Sequence, residues 1–307
     1  MQIFNSIQEI QDVRPTAVAL GNFDGVHLGH AELIKRMRVY AKAHDLIPAV
    51  FTFSNHPQNV LSGRTVIRSL LSSEEKAEVL AGLGVEYLFS IPFDGSFHEM
   101  TPHSFIDDLL LGHFRAESVS CGFNFRFGAR AAGHTLTLEH AAADKGFNLD
   151  VMEPFEIDDS IVSSTLIRGL IAEGKVDEAA VYLGRLYALS GEIVRGNGYG
   201  RKLGFPTANI AVRDDMVSPA FGVYVTESDL KGHTLRSVTN IGIRPTIGDN
   251  KLFIESNIFD VPDEDLYGQR TQVRFLKMIR PEARYGSMDE LSKAIDSDRR
   301  TAEAYIK

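Results

Sequence analysis

A single cysteine, Cys121, stands among 307 residues. One thiol cannot build an internal disulfide framework or a cysteine-based zinc site, and it suits a reducing, cytoplasmic setting. Basic residues are not in excess: 32 Lys and Arg stand against 41 Asp and Glu, for a net charge of −9. That balance argues against a nucleic-acid binder dominated by phosphate contacts and against docking on an anionic membrane. No run approaches the roughly 18 apolar residues of a membrane span. Met1-Gln2-Ile3-Phe4-Asn5 shows no basic region leading into an apolar stretch, so no signal peptide is expected. Internal repeats and low-complexity tracts are absent too. What is present is 44% apolar residues, which in a chain of this length suffices for two domains with real cores.

Two characters divide the chain. Up to about residue 185, strand and helix patterns alternate. Strands are expected at 16–20, 47–53, 85–92, 118–122 and 149–154. Between them a capping box of Ser72 and Glu75 opens a helix to about 83, Thr101-Pro102 opens another, and a third covers 136–145. Ser163 or Ser164 caps a helix that reaches about 183, with a break at Gly174. Such alternation implies an α/β domain with a doubly wound, Rossmann-like parallel sheet. Beyond 186, glycines and turn residues recur and short β-rich runs dominate, at 188–194, 222–226, 235–240, 253–259 and 271–279. These predict an antiparallel barrel of about six strands. A last helix follows, opened by Ser287 and Glu290, with Met288, Leu291, Ala294, Ile295 and Ala302 on its apolar face. The expected domains are 1–185 and 186–307.

The densest motif is Gly21-Asn22-Phe23-Asp24-Gly25-Val26-His27-Leu28-Gly29-His30. It joins a buried strand to the start of an amphipathic helix. Glycines let backbone approach phosphate, and free N–H groups at a helix start point at it. Neither Rossmann nor Walker A spacing is present. His27 and His30, three residues apart, could both donate to one triphosphate, which points to transfer chemistry on a nucleotide. An ordinary strand-to-helix turn is the plainer alternative.

Three further segments of the first domain carry chemistry. His56, after the second strand, is either a ligand of the same phosphates or a solvated loop residue. Gly122-Phe123-Asn124-Phe125-Arg126-Phe127-Gly128 is either a stacking slot for a planar ring or a strand with aromatics on one face. Ser163, Ser164 and Thr165, with Arg168 one turn on, would hold a phosphate chain, where a plain N-cap needs only one hydroxyl. In the second domain, Gly198-Tyr199-Gly200-Arg201-Lys202-Leu203-Gly204-Phe205-Pro206-Thr207-Ala208-Asn209 is a second phosphate loop or a glycine-rich hairpin. Thr207 and Asn209 share one face of an extended segment, and their oxygens suit Mg²⁺. Asn240 and Arg244 lie in the run 240–246. Glu255 is either on the solvent face of an edge strand or a general base facing the barrel.

The histidine pair after the first strand and the Ser-Ser-Thr-x-x-Arg helix start resemble the nucleotidyltransferase superfamily. Together with the segments at 204–209 and 240–246, in this order, the chain resembles the bacterial bifunctional riboflavin kinase/FAD synthetase family over nearly its whole length. The resemblance implies an N-terminal FMN adenylyltransferase and a C-terminal riboflavin kinase. ATP would phosphorylate riboflavin to FMN, and a second ATP would adenylylate FMN to FAD with release of pyrophosphate. It assigns His27, His30, Asn124 and Arg168 to adenylyltransfer, Thr207 and Asn209 to Mg²⁺ and ATP, and Glu255 to activation of the ribityl hydroxyl. Gly21, Asn22, Phe23, Asp24, Gly29, His56, Phe125 and Arg126 join the first site. Gly198, Arg201, Gly204, Pro206, Asn240, Arg244 and Arg280, with Glu282, join the second. Asn55 and Asn124 depart from the residues usual in the family. A monofunctional nucleotidyltransferase fused to a flavin- or nucleotide-binding barrel is the alternative. Partners are expected to be small molecules, with neither nucleic acid nor membrane, and self-assembly is left open.

Overall fold

The first unit, Met1–Ser164, is built on a parallel sheet. The structure, a computed structural model, describes residues 1–196, 205–246, 249–261 and 266–305, without the side chains of 243–246, 249–251 and 253. The strands are β1 (Gln2–Phe4), β2 (Thr16–Leu20), β3 (Ile47–Phe53), β4 (Tyr87–Ile91), β5 (Ala116–Gly122) and β6 (Asn148–Met152). They lie in the order β1-β4-β3-β2-β5-β6, every neighbouring pair parallel. The helices α1 (Leu28–Ala43), α2 (Pro57–Ser62), α3 (Ser73–Gly82), α4 (Gly95–Glu99), α5 (Pro102–Ser104) and α6 (Thr135–Lys145) join them, and α5 runs on into a wider helical stretch, Phe105–His113. A small hairpin, β7 (Glu156–Ile157) and β8 (Ser160–Ile161), follows.

Strand alternation sorts the core into two layers. Val18, Leu20, Ala49, Phe51, Phe89, Val119 and Cys121 pack with Phe105, Ile106 and Leu109. Ala17, Ala19, Val50 and Leu88 pack with Leu33, Ile34 and Met37 of α1 and Leu80 of α3. Both faces are therefore covered, which is why the central strands read as continuous apolar runs. The Ser72–Glu75 capping box is formed in both directions. β1 was not expected, since three residues carry no period. The chain steps from β2 to β3 on one side and returns to β5 on the other. The switch point beside β2 puts Gly21 and Gly122 at the carboxyl edge where ligands bind in such sheets.

Cys121 is fully buried on this sheet. Burial, reinforced by Asp150 and Glu139, pushes its thiol up to about 12. The native protein is therefore expected to resist an aromatic disulfide reagent at neutral pH and to react fully on unfolding. Stoichiometric labelling of the folded protein would contradict this.

The second unit, Thr165–Lys307, begins within α7 (Ser164–Ala172) and continues through α8 (Val176–Leu183). The break between these helices falls at Gly174, at φ +82°. A Cβ there would also come within 2.7 Å of the Met278 sulfur. Six strands follow: β9 (Tyr187–Val194), β10 (Ala208–Ala211), β11 (Gly222–Leu230), β12 (His233–Thr246), β13 (Asp249–Ile258) and β14 (Arg270–Pro281). They close into an antiparallel barrel in the order β10-β13-β12-β11-β14-β9. The short β10 completes the expected six.

The lumen of the barrel is filled partly by hydroxyls. Thr226, Ser228, Ser237, Thr239 and Ser256 are fully buried and bond one another at 2.7–3.3 Å. A hydroxyl both donates and accepts, so the cluster satisfies itself without charge. Tyr187, Tyr224 and Phe275 pack together as a second buried group. Helix α9 (Met288–Tyr305) ends the described chain. Ser287 accepts the Glu290 N–H at 3.2 Å, while the Glu290 carboxylate takes the Gly286 N–H at 2.9 Å. Ala302 is buried on the helix face, whereas Met288 is exposed. The buried Asp298 takes a place on that face that an apolar pattern does not reveal.

Candidate active sites

The first site grows from the turn after β2. Phe23, Gly25 and Val26 adopt φ of +46°, +78° and +38°. Left-handed backbone costs a non-glycine residue about 1–3 kcal/mol, most for a β-branched one, and persists only where surroundings hold it. Here Phe23 is fully buried, and its ring lies 4.9 Å from that of His30. The Asn22 carbonyl accepts from Thr52 Oγ1 at 2.8 Å and from Lys76 Nζ at 3.0 Å. The Asp24 carboxylate takes the Leu70 N–H at 2.8 Å, and its carbonyl takes the Ser164 hydroxyl at 2.8 Å. Asp24, expected as a ligand contact, also braces the loop.

His27 caps α1. Its Nδ1 accepts the His30 N–H at 3.3 Å. The neutral ring then carries its proton on Nε2, on the far side from the helix. The two imidazoles stack at 3.7 Å, 16° from parallel. Gly29 leaves room for this, since a Cβ there would press on the His27 ring at 3.3 Å. The pair therefore presents two ring edges at a helix start whose N–H groups and dipole favour an anion.

A cavity of about 290 Å³ adjoins Gly21 and Asn22. Its walls are Phe51 and Phe53 of β3, Phe93, Phe97, Phe105, Phe125 and Phe127, and Arg126 and Arg130 also line it. The size and the aromatic walls suit a flat conjugated ring. Of the 122–128 segment only Phe125, Arg126, Phe127 and Gly128 line it; Phe123 and Asn124 are exposed and do not. The segment is a turn closed by the Phe125 N–H to the Gly122 carbonyl, with a bridge from Phe127 to Gly133, and not the strand weighed above. Gly133 lets the Phe127 ring lie flat, since a Cβ would approach it to 2.7 Å. Most of the aromatic wall comes from distant segments that no local pattern marks. His56 caps α2, its Nδ1 accepting the Gln58 N–H at 3.2 Å. Asn55 holds the backbone of Phe93 through both its amide atoms. Ser163 and Ser164 open α7; Thr165 and Arg168 follow on it in the second unit.

The second site lies on the outer face of the barrel. Alternation turns Tyr224, Thr239, Ile254 and Ser256 inward, so Val223, Val238, Asn240, Glu255 and Asn257 face out, toward α9. They line a cavity of about 600 Å³ with Phe205, Leu291 and Ile295. Glu255 therefore faces neither the lumen nor an edge: β13 is flanked by β10 and β12. Asn209 lies opposite Glu255 in the β10–β13 register, and Asn240 opposite it in the β12–β13 register. Thr207 Oγ1 donates to Glu255 Oε1 at 2.7 Å, and Asn257 Nδ2 donates to the Pro206 carbonyl at 2.6 Å. A Cβ on Gly196 would come within 2.1 Å of the Asn209 amide, so any other residue there would have to displace that side chain.

Arg280 lines the same cavity, but its guanidinium is committed to Asp298 by two bonds of 3.0 and 2.7 Å. That pairing holds its pKa above the usual range. It latches β14 to α9 and forms part of the wall. Glu282 also lines the cavity. Gly198, Arg201 and Gly204 lie outside the described residues, and of Arg244 only the backbone, in β12, is described. Among the described residues no group of three or more His, Cys, Asp or Glu is arranged to hold a metal. Thr207 commits its proton to Glu255 and so keeps lone pairs for a cation. With the Asn209 amide oxygen this is a sparse, hard donor pair, which suits an ion that keeps waters and binds substrate phosphates.

A parallel sheet with a histidine-bearing anion cradle, followed by a barrel carrying a carboxylate beside a hydroxyl, defines a two-domain transferase acting on nucleotides. The FAD synthetase family model matches residues 9–166, and the riboflavin kinase family model matches 183–306. The bifunctional riboflavin kinase/FMN adenylyltransferase of Escherichia coli strain K12 is 37% identical over 290 residues, 94% of this chain and 92% of the relative. That of Haemophilus influenzae is 33% identical over 308 residues, 100% and 99% of the two. A crystal structure described as a macrolide-efflux protein from Streptococcus pneumoniae superposes with a TM-score of 0.90 at 29% identity, covering 98% of each chain. This chain belongs to the bifunctional riboflavin kinase/FMN adenylyltransferase family. Among its described residues, no helix is long and apolar enough to cross a membrane.

Proposed function

We propose that the two reactions of the family run at these two separate sites, with residues 1–185 acting as FMN adenylyltransferase and 186–307 as riboflavin kinase. As a family member the chain is a flavin-cofactor enzyme with kinase and nucleotidyltransferase activities, using riboflavin, FMN and ATP. The observation that carries the residue assignment is the bond from Thr207 to Glu255 in the lining of a cavity of about 600 Å³, room enough for a flavin.

In the kinase step, the Glu255 carboxylate takes the proton of the riboflavin 5′-hydroxyl. The freed oxygen bonds to the γ-phosphorus of ATP, the bond to the β–γ bridging oxygen breaks, and ADP leaves. Thr207 orients the carboxylate by donating to it, and Asn240, opposite Glu255 in register, offers a polar edge to the ribityl chain. Thr207 and Asn209 would hold Mg²⁺, which when bound neutralises phosphate charge. Such transfers depend on positioning and electrostatics more than on covalent chemistry, so few reactive side chains are needed.

In the adenylyl step, an FMN phosphate oxygen attacks the α-phosphorus of a second ATP and pyrophosphate leaves. The nucleophile is already an anion, so no general base is required. His27 and His30 donate to the phosphate oxygens on which charge builds, with the N–H groups of the α1 start. Ser163, at the start of α7, serves the same phosphates. The aromatic cavity beside Asn22 seats the flavin ring, with Phe125 as a wall and Arg126 at its edge. A cytoplasmic location suits a chain whose one thiol is buried and reduced.

Incubation with riboflavin, ATP and Mg²⁺, followed by separation of flavins, tests the reading. FMN should appear first and FAD after it, with ADP and pyrophosphate as co-products. ATP turnover without any FMN would favour a nucleotidyltransferase of another substrate class.

A further inference from the structure

The strained turn that carries the histidine pair is held from outside by a residue that no motif marks. Lys76 lies on α3, in the turn that follows the capping box, and reaches 54 positions back along the chain to the Asn22 carbonyl at 3.0 Å. That oxygen also accepts Thr52 Oγ1, at 2.8 Å, from the fully covered interior of β3. Two donors thus converge on one carbonyl, immediately before three left-handed residues in four. Burial holds the Lys76 ammonium below the usual lysine range, and the Asp24 carboxylate offsets part of that loss. A desolvated cation on a neutral carbonyl is a poor source of fold stability, because the charge loses hydration and gains little in return. It is a good means of fixing one peptide plane and of adding positive potential beneath a loop that receives a polyphosphate.

We propose that Lys76 is a positioning residue for adenylyltransfer. Its charge pins the Asn22 carbonyl, and with Thr52 it holds the 21–26 turn so that His27 and His30 meet the reacting phosphate in register. The proposal rests on the reading of the 21–30 cradle as the adenylyl site. Lys76 acts through the loop and not on the substrate, so its effect falls on the rate of the bound complex.

The test uses the full-length protein, with its thermal unfolding as the control for folding. Lys76→Met should lower kcat for FAD formation from FMN about ten- to a hundredfold, the range expected of a small misplacement of reacting groups. KM for ATP should stay within about threefold, since ground-state binding is little changed. Lys76→Arg, which keeps the charge, should recover most of the rate. Thr52→Val should lower kcat in the same direction. The double variant Lys76→Met/Thr52→Val should be hardly slower than Lys76→Met alone, because both act through one carbonyl. The proposal is overturned if Lys76→Met keeps the full rate, if Arg rescues no better than Met, or if the two losses multiply. A parallel His30→Ala variant separates the two levels of inference. If it stops FAD formation while Lys76→Met does not, the adenylyl site stands and the role of Lys76 is lost. If His30→Ala leaves FAD formation intact, the reading of the cradle itself is wrong.

Discussion

Replacing Glu255 by alanine is expected to lower riboflavin phosphorylation by about 10²–10⁴-fold, the usual contribution of a general base, while FMN-to-FAD conversion stays within about twofold of normal. The carboxylate is half-buried, sits on an inner strand of a closed barrel and receives the Thr207 hydroxyl at 2.7 Å. A carboxylate so placed keeps its orientation before substrate arrives, which makes its removal costly to kcat more than to binding. Glu255→Gln refines the point. An amide oxygen can still accept the Thr207 proton but cannot take one from a ribityl hydroxyl. Its rate should resemble that of alanine if the group is a base, and should approach normal if the group only positions Thr207. FMN production by Glu255→Ala at more than about a tenth of the normal rate would exclude the base role.

His30→Ala is expected to have the mirror effect: FAD formation falls about 10²–10³-fold, the scale for losing one pre-aligned donor to developing phosphate charge, and riboflavin phosphorylation is spared. The imidazole stacks on His27 and lies against the Phe23 ring. Its loss therefore removes the proposed donor and leaves the His27 ring without its stacking partner. Supplied with riboflavin and ATP, this variant should accumulate FMN. Glu255→Ala should leave riboflavin untouched yet convert added FMN to FAD. Measuring FMN, FAD and pyrophosphate in both variants checks the pair. Loss of both activities in either variant, with its thermal unfolding unchanged, would mean that the sites are not separable.

Much of this protein was legible in its sequence because the relevant signals are local. Strand alternation, the Ser72–Glu75 box and proline at the start of α5 act within a few residues, so they mark elements wherever the chain goes. The same holds for the glycine-rich turn at 21–30: a Cβ at Gly29 would crowd a ring two residues away, and the two histidines share one helix turn. The identity of Thr207 and Glu255 as candidates was readable too, since hydroxyl and carboxylate are chemically apt.

Their setting was not readable. Whether Glu255 faces the lumen, an edge or the outer wall depends on which strands flank β13 and on where α9 packs, and only barrel closure decides that. The lumen went to five hydroxyls that satisfy one another, leaving the carboxylate on the outside under a helix. Asp24 was placed among the ligands by its motif; that it also takes the Leu70 N–H and braces the loop could not be read there. Arg280 could be named from sequence, and it lines the cavity, but its bond to Asp298 could not be foreseen. The aromatic cavity was only half visible: Phe125 and Phe127 belong to a readable segment, whereas Phe51, Phe93, Phe97 and Phe105 converge from separate segments. Lys76 had no signal at all, because nothing in α3 encodes a carbonyl 54 positions earlier. By itself the sequence determined most of the elements, the order of two domains and the residue types proposed to perform transfer. The tertiary structure decided which side chains meet, because contacts between residues far apart along the chain exist only after the sheet and the barrel have closed.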